Sequence, residues 1–440
     1  MIGEERPPTG CGVCRANSSL VTNPLRSMAS NPRDRFGQFA VAFRGYNIAN
    51  LGRCTELLSH PLYGSILERY LREASHICAD AVRQRVDLVE RVRQNRETDL
   101  ETYHEAITLI VAASLAQLEI LEEFFDFEYR RARMVFGYSL GELTAVIASG
   151  VFEMQHALKL PLAVAADCVE LAKNVTMGVL FSRGPVLDFD EVKRLCLHIT
   201  NEGAGVIGIS SFLAPNTVLL LGQHCTVDRF GQLMHDVFPK RVYLRKNSEK
   251  WPPVHTPLLW QKNIPNRVGV LAHTLPGGFT APAPPVFSLV TGKASYNDYN
   301  AREILMQWID HPQRLWDAVY ETLACGAETV IHVGPGPNLV PATFQRLRDN
   351  VQAQLTGNSL NKLGLRAMAR AVRRPWLTAV LPSRTALLRA PAVNHIILED
   401  WLLEQPLPTS VQVAMPHASE ILPQVSEAPT SSQGETAGNS

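Results

Sequence analysis

Residues 131 to 150 read RARMVFGYSLGELTAVIASG, and inside them an apolar run ends where a helix-forming run begins, with a serine between two glycines at the join. Met134, Val135 and Phe136 suit the end of a buried strand. LGELTAVIA then supplies helix formers, with Glu142 in the first turn, where a carboxylate complements the helix dipole. The spacing predicts a strand, a sharp turn and a helix, with Ser139 on the turn. Gly137 and Gly141 are small where such a bend crowds backbone and neighbouring strands, so the hydroxyl stands above the sheet and the Leu140 amide faces the same space. Two readings remain open from the pattern alone: Ser139 is a nucleophile beside a ready oxyanion donor, or it is a small residue that lets the chain turn.

An elbow of this kind needs a sheet beneath it. FGQFAVAF (36 to 43) reads as a short buried strand, and SILERYLREASHICADAV (65 to 82) and HEAITLIVAASLAQLEILEEFF (104 to 125) as helices by their apolar spacing. Alternation of strands and helices favours an α/β class domain, α/β-hydrolase-like, with a mainly parallel sheet. From residue 175 the order changes: VTMGVLFS, DFDEVKRLCLHI, GVIGISSF, NTVLLLG, VDRFGQLMHDVF and KRVYLR give four strands and two helices, which fits a small inserted ferredoxin-like subdomain over 175–244. The α/β alternation resumes through REILMQWID, a helix at 312 to 325, the strand TVIHV and the turn GPGP. The large domain is thus expected to comprise 38–174 and 245–348, followed by an arginine-rich helical extension over 349–404 whose SLNKLGLRAMARAVRR suits a solvated or docking face. Residues 1–37 and 405–440 are rich in small polar residues and Pro and are expected to be disordered tails.

Charge and cysteine usage exclude several classes. The 42 basic and 42 acidic residues cancel in a chain of 440 that is 46% hydrophobic, so no nucleic-acid partner is indicated. No apolar run approaches the roughly 18 residues that would span a bilayer, and the N-terminus lacks a signal-peptide layout. Eight scattered cysteines point to reduced thiols and a cytoplasmic setting. Cys11 and Cys14 form a lone CxxC with no second pair nearby, so no metal is expected; Met28 is an alternative start that would leave that pair outside the functional protein.

The longer string GYSLGELTAVIASGVF resembles GHSLGEYAALVAAGVL of the malonyl-CoA:acyl-carrier-protein transacylase family, the acyltransferases of fatty-acid and polyketide synthesis. VAFRGYNIANLG (41 to 52) is similar to that family's FPGQGSQ start, PPVHTPLL (252 to 259) to its AFHSPLM, HPQRLWDAV to its NPVRWVEAV, and ETVIHVGPGPNLV (328 to 340) to its FVEVGPGKVL. The blocks fall in the family's order over about residues 38 to 348, and their co-occurrence is far more specific than any one of them.

The resemblance implies an acyl-CoA substrate, the phosphopantetheine thiol of an acyl carrier protein as acceptor, and no tightly bound cofactor. An alcohol needs a base to attack a thioester at neutral pH. The resemblance gives this role to His255, its ring oriented by a main-chain carbonyl at Trp308, with the amides of Leu140 and Tyr46 as oxyanion donors. Tyr46 stands where the family has glutamine, and Tyr138 replaces the histidine beside the nucleophile. Malonyl-selective members carry an arginine about 25 residues after the serine, able to pair with the free carboxylate. Here Val164 falls at that place, and Val254 precedes His255 where such members have phenylalanine. Tyr138, Val164 and Val254 are thus expected to line the substrate pocket, and the acyl group is either malonyl or uncharged. Lys159 and Lys173 could stand in for the arginine only if they leave a solvated helix face. VGPGP (333 to 337) lacks the lysine of a phosphate loop and is expected to shape the rim of the site. Two other functions share parts of the pattern: a serine hydrolase or thioesterase acting on acyl thioesters, and a non-catalytic scaffold that binds a carrier protein.

Overall fold

The computed structural model describes residues 36–183, 186–355 and 383–406. Two sheets organise it. The larger is built from β1 (Phe39–Phe43), β2 (Val135–Gly137), β7 (Thr329–Val333) and β8 (Asn394–Ile397) in the order β2-β1-β7-β8, every pair parallel. FAVAF, VFG and TVIHV are buried along their whole length, as strands covered on both faces must be. One face carries α1 (Gly64–Val82) and α2 (Tyr103–Phe125), with α3 (Leu140–Ala148) and α4 (Ala165–Ala172) against them; Phe43, Leu109 and Val146 belong to this core.

Between α4 and the return to the large sheet lies the insertion. It runs β3 (Val175–Ser182), α5 (Phe189–Asn201), β4 (Ile207–Ala214), β5 (Thr217–Gln223), α6 (Thr226–Val237) and β6 (Val242–Asn247). Its sheet is antiparallel in the order β4-β5-β3-β6, the split βαβ arrangement expected from the strand and helix order. Alternation sets its two faces: Leu180, Val218 and Leu220 meet α5 and α6, while Met177, Val179 and Leu219 turn toward the large domain. The last strand reaches Asn247, three residues beyond the boundary the sequence suggested. Asn216 occupies the β4–β5 turn, its Nδ2 donating to the Ser182 carbonyl at 2.8 Å.

The chain returns through α7 (Ala301–Trp308) and α8 (Leu315–Ala324), passes β7, and continues as α9 (Leu339–Leu355) on the second face of the large sheet. The expectation of a purely helical extension over 349–404 is corrected here: Asn394–Ile397 add the strand β8 beside β7, and only then does α10 (Leu398–Glu404) follow. Four residues with one strand neighbour leave too short a pattern to be read as a strand. The amphipathic SLNKLGLRAMARAVRR falls outside the described residues, as do 1–35 and 407–440. The boundary of the N-terminal tail also moves, because Phe36 is buried against Phe127 and Trp401. The described residues from Phe36 to Gln405 form one compact unit. Among the described residues no helix is long and apolar enough to cross a membrane.

Candidate active site

The elbow forms because β2 ends at Gly137 and α3 begins at Leu140, leaving two residues for the turn. Ser139 takes φ 55° and ψ −118°, a conformation that costs a non-glycine residue about 1–3 kcal/mol and persists only where the surroundings enforce it. Those surroundings are tight: a Cβ on Gly137 would lie 2.0 Å from the Gly141 carbonyl carbon, and one on Gly141 would lie 2.4 Å from the Phe43 carbonyl oxygen. Beneath the turn, Glu142 is fully buried and accepts from the Tyr296 hydroxyl at 2.9 Å and the Leu289 amide at 3.0 Å. Burial pushes its carboxyl up to about 7 against these partners.

His255 reaches the serine from the loop after the insertion. Its Nε2 is 2.7 Å from Ser139 Oγ and its Nδ1 is 2.7 Å from the Trp308 carbonyl oxygen. A carbonyl only accepts, so Nδ1 carries the hydrogen and Nε2 is left as a bare acceptor facing the hydroxyl. Trp308 is the last residue of α7, where carbonyls lack helical partners, and its indole Nε1 donates back to the Ser139 carbonyl at 2.9 Å. The His255 amide donates to Ile309 O at 2.7 Å. One helix end therefore ties both members of the pair. Burial lowers the His255 pKa to about 4, so the ring is neutral at physiological pH.

The Leu140 amide sits at the N-terminus of α3 and donates to no group among the described residues; the Tyr46 amide is likewise uncommitted. The loop carrying Tyr46 abuts the elbow, since a Cβ on Gly45 would lie 2.5 Å from the Tyr138 carbonyl oxygen. Arg44 braces this loop. It is buried, and its guanidinium donates to the carbonyls of Gly45, Ala49 and Pro335 and to Asn50 Oδ1. Glu399, on α10, accepts from the amides of Arg53 and Gly336, joining the same loop to the GPGP turn. The long-range braces were not legible in the sequence, because Arg44 and Pro335 are 291 residues apart and Arg53 and Glu399 are 346 apart.

A cavity of about 320 Å³ opens beside the pair, lined by Tyr46, Tyr103, Tyr138, Ser139, Val254 and His255 among others. Pro337 and Asn338 place the GPGP turn on its rim. Val164 does not line it. It caps α4 and is 2% exposed within the apolar core, so its expected place in the pocket is corrected: alignment gives the position but not the direction of the side chain. Lys159 and Lys173 are exposed and away from the cavity.

Gln313 was also missed. Fully buried, it accepts the Ser139 amide hydrogen on Oε1 at 3.2 Å, while its Nε2 has no partner. The available signal was a polar residue where the similar segment NPVRW has valine. Replacing Gln313 by valine is expected to slow acylation of Ser139 about tenfold with KM unchanged, the worth of one hydrogen bond holding the elbow. Equal kcat values for the two proteins, in single-turnover kinetics, would remove Gln313 from the positioning of the serine.

A serine on a strained elbow, a neutral histidine held by a main-chain carbonyl and two uncommitted amides nearby, on an α/β scaffold with this insertion, suit an acyltransferase-type enzyme. No family model matches the chain. The malonyl CoA-acyl carrier protein transacylase of Haemophilus influenzae is 25% identical over 322 residues, covering 72% of this chain and 94% of its own. That of Escherichia coli strain K12 is 25% identical over 333 residues, covering 76% and 98%. Among solved structures, FabD from Acinetobacter baumannii superposes with a TM-score of 0.57 at 17% identity, over 86% of this chain and all of that one. A malonyl-transacylase solved with its type II polyketide synthase acyl-carrier protein gives 0.55 at 22% identity, over 70% of this chain and 92% of that one. The chain is thus similar to malonyl CoA-acyl carrier protein transacylases over about three quarters of its own length and over nearly all of theirs.

Proposed function

We propose that this protein moves an acyl group from a CoA thioester to the phosphopantetheine thiol of an acyl carrier protein through an ester on Ser139. In the first half, Ser139 Oγ attacks the thioester carbon while His255 Nε2 takes the hydroxyl proton, and the amides of Leu140 and Tyr46 hold the developing oxyanion. The C–S bond breaks, and the departing CoA sulfur receives the proton from His255. In the second half the carrier thiol gives its proton to His255 and attacks the ester, and Ser139 leaves with that proton restored. No metal or resident cofactor enters these steps. The observation that carries the reading is the 2.7 Å approach of Ser139 Oγ to His255 Nε2, with the far side of the ring fixed by Trp308.

The acyl group we assign is uncharged. The relatives above act on malonyl-CoA by name, yet the only cation lining the cavity among the described residues is Arg44, which is buried and gives four of its five N–H groups to three carbonyls and Asn50. A malonyl carboxylate buried there would lack a partner, at a cost of several kcal/mol. We also place the protein in the cytoplasm, on the strength of its scattered cysteines, six of which are free thiols among the described residues.

Intact-mass analysis after incubation with acetyl-, malonyl-, medium- and long-chain acyl-CoA tests this directly. An acyl adduct on the wild-type protein, absent from Ser139→Ala and discharged by a holo carrier protein, is the expected result, with an uncharged acyl group favoured over malonyl. Release of free acid without a carrier protein would instead indicate a hydrolase, and no change with any thioester a scaffold.

A further inference from the structure

The cavity is lined by Met177 and Leu219 of the insertion and by Leu339 and Val340 of α9, and His332 is among the residues that line it with these apolar side chains. His332 lies on β7 and has no solvent exposure. Its Nε2 is 3.1 Å from Nδ1 of His395 on the edge strand β8, and the two rings stack with centroids 5.3 Å apart. Its Nδ1, on the opposite flank of the ring, has no hydrogen-bond partner in the protein. Such a buried, unmatched polar atom costs about 1–3 kcal/mol. The similar family segment FVEVGPG has glutamate at this position, so the chain has placed a neutral ring where that segment carries a charge.

The ring pair can present either polarity. Burial holds both histidines neutral, so a single hydrogen lies between Nε2 of His332 and Nδ1 of His395. When His395 supplies it, His332 Nδ1 carries a hydrogen; when His332 supplies it, Nδ1 is an acceptor. The sheet register sets how far this atom is from the chemistry. His332 pairs with Ala42 and Ala42 with Phe136, so it lies three residues before Ser139 along the strands and two strands across. That is about 10 Å along and about 10 Å across, beyond the reach of an acetyl or malonyl group on the serine.

We propose that His332 is a specificity-determining residue whose Nδ1 hydrogen-bonds an amide, hydroxyl or carbonyl group carried in the chain attached to the thioester, several bonds from the reacting carbon. The inference rests on the acyl-transfer reading above. Two sources share this chemistry: the distal part of the pantetheine arm, and an oxygen function on a long acyl group.

Single-turnover acylation separates them, with kcat/KM measured for wild type, His332→Leu and His395→Phe. The substrates are matched plain and hydroxylated long-chain acyl groups, each on CoA and on N-acetylcysteamine, which lacks the distal arm. If the arm is the ligand, His332→Leu loses at least tenfold on every CoA thioester and nothing on the truncated thioesters. If the acyl oxygen is the ligand, the loss follows the hydroxylated chain on either carrier. His395→Phe, which leaves the cavity side of His332 in place, is expected to keep the substrate preference. A loss spread equally over all four substrates means that His332 only packs, and overturns the proposal. Should His332→Leu fail to fold, wild type alone decides, because equal kcat/KM for all four thioesters also overturns it. Failure of every substrate to acylate Ser139 would sink the acyl-transfer reading itself, whereas acylation without discrimination sinks only the role of His332.

Discussion

Replacing His255 by alanine is expected to slow formation of the Ser139 acyl-enzyme by about 100- to 10,000-fold, the usual contribution of a positioned general base. The loss follows from the geometry: Nε2 is the group within hydrogen-bonding distance of Oγ, and the carbonyl at Trp308 leaves that nitrogen without a hydrogen. No carboxylate bonds the far side of the ring, so the ring's basicity is set by burial against one carbonyl, and its pKa falls to about 4. The sign of the pH dependence follows. With the neutral ring as the proposed base, wild-type kcat/KM is expected to be flat from neutral pH downward and to fall as pH drops through about 4, provided the fold survives there. Stability moves the same way: the unfolded histidine binds its proton near 6.5 and the folded one only near 4, so this residue lowers native stability as pH falls between those values. His255→Ala removes that term while nearly abolishing acylation. Thermal melts at pH 7 and pH 5 with intact-mass time courses check both. Acylation at the wild-type rate in the variant would show that another group takes the proton.

Much of the scaffold was legible because its elements carry strong local patterns. The run HEAITLIVAASLAQLEILEEFF predicts a helix over 104 to 125, and the helix spans Tyr103–Phe125. Alternation in VTMGVLFS and NTVLLLG gives β3 and β5, and the elbow follows from two glycines around a serine. Features that depend on distant partners were not legible. The strand β8 exists because Thr329–His332 offer it a free edge, not because NHII insists on it. The His332–His395 pair joins residues 63 apart. Gln313 looks like an ordinary helix-start residue until Ser139 is seen to donate to it. Val164 shows the opposite limit: similarity to a family predicted its place in the chain, and packing against the core decided where its side chain went.

Adding one methyl group at Gly141 is expected to cost more stability than most core substitutions, although alanine is the better helix former. The ordinary gain from replacing a helical glycine is about 1 kcal/mol. Against it, the new Cβ would lie 2.4 Å from the Phe43 carbonyl oxygen and 2.7 Å from the Arg44 carbonyl oxygen. Both are main-chain atoms, of β1 and of the loop that leads to the Tyr46 amide, so no side chain can swing away to make room. The helix must lift off the sheet or the loop must retreat, and overpacking of this kind costs about 1–3 kcal/mol or more. At about 2–4 °C per kcal/mol for a domain of 150–250 residues, and somewhat less for a larger one, Gly141→Ala is expected to lower Tm by several degrees. Activity should suffer further, because the displacement separates the Tyr46 and Leu140 amides proposed to share one oxygen, and losing one such donor costs about 100- to 1,000-fold in kcat. Gly231→Ala is the control. That glycine lies in α6, where a Cβ meets only a leucine methyl at 3.4 Å, so the substitution should hold or raise Tm and leave acylation unchanged. If Gly141→Ala melts and acylates like Gly231→Ala, the close approach of α3 to β1 does not set the elbow, and the oxyanion assignment loses its structural basis.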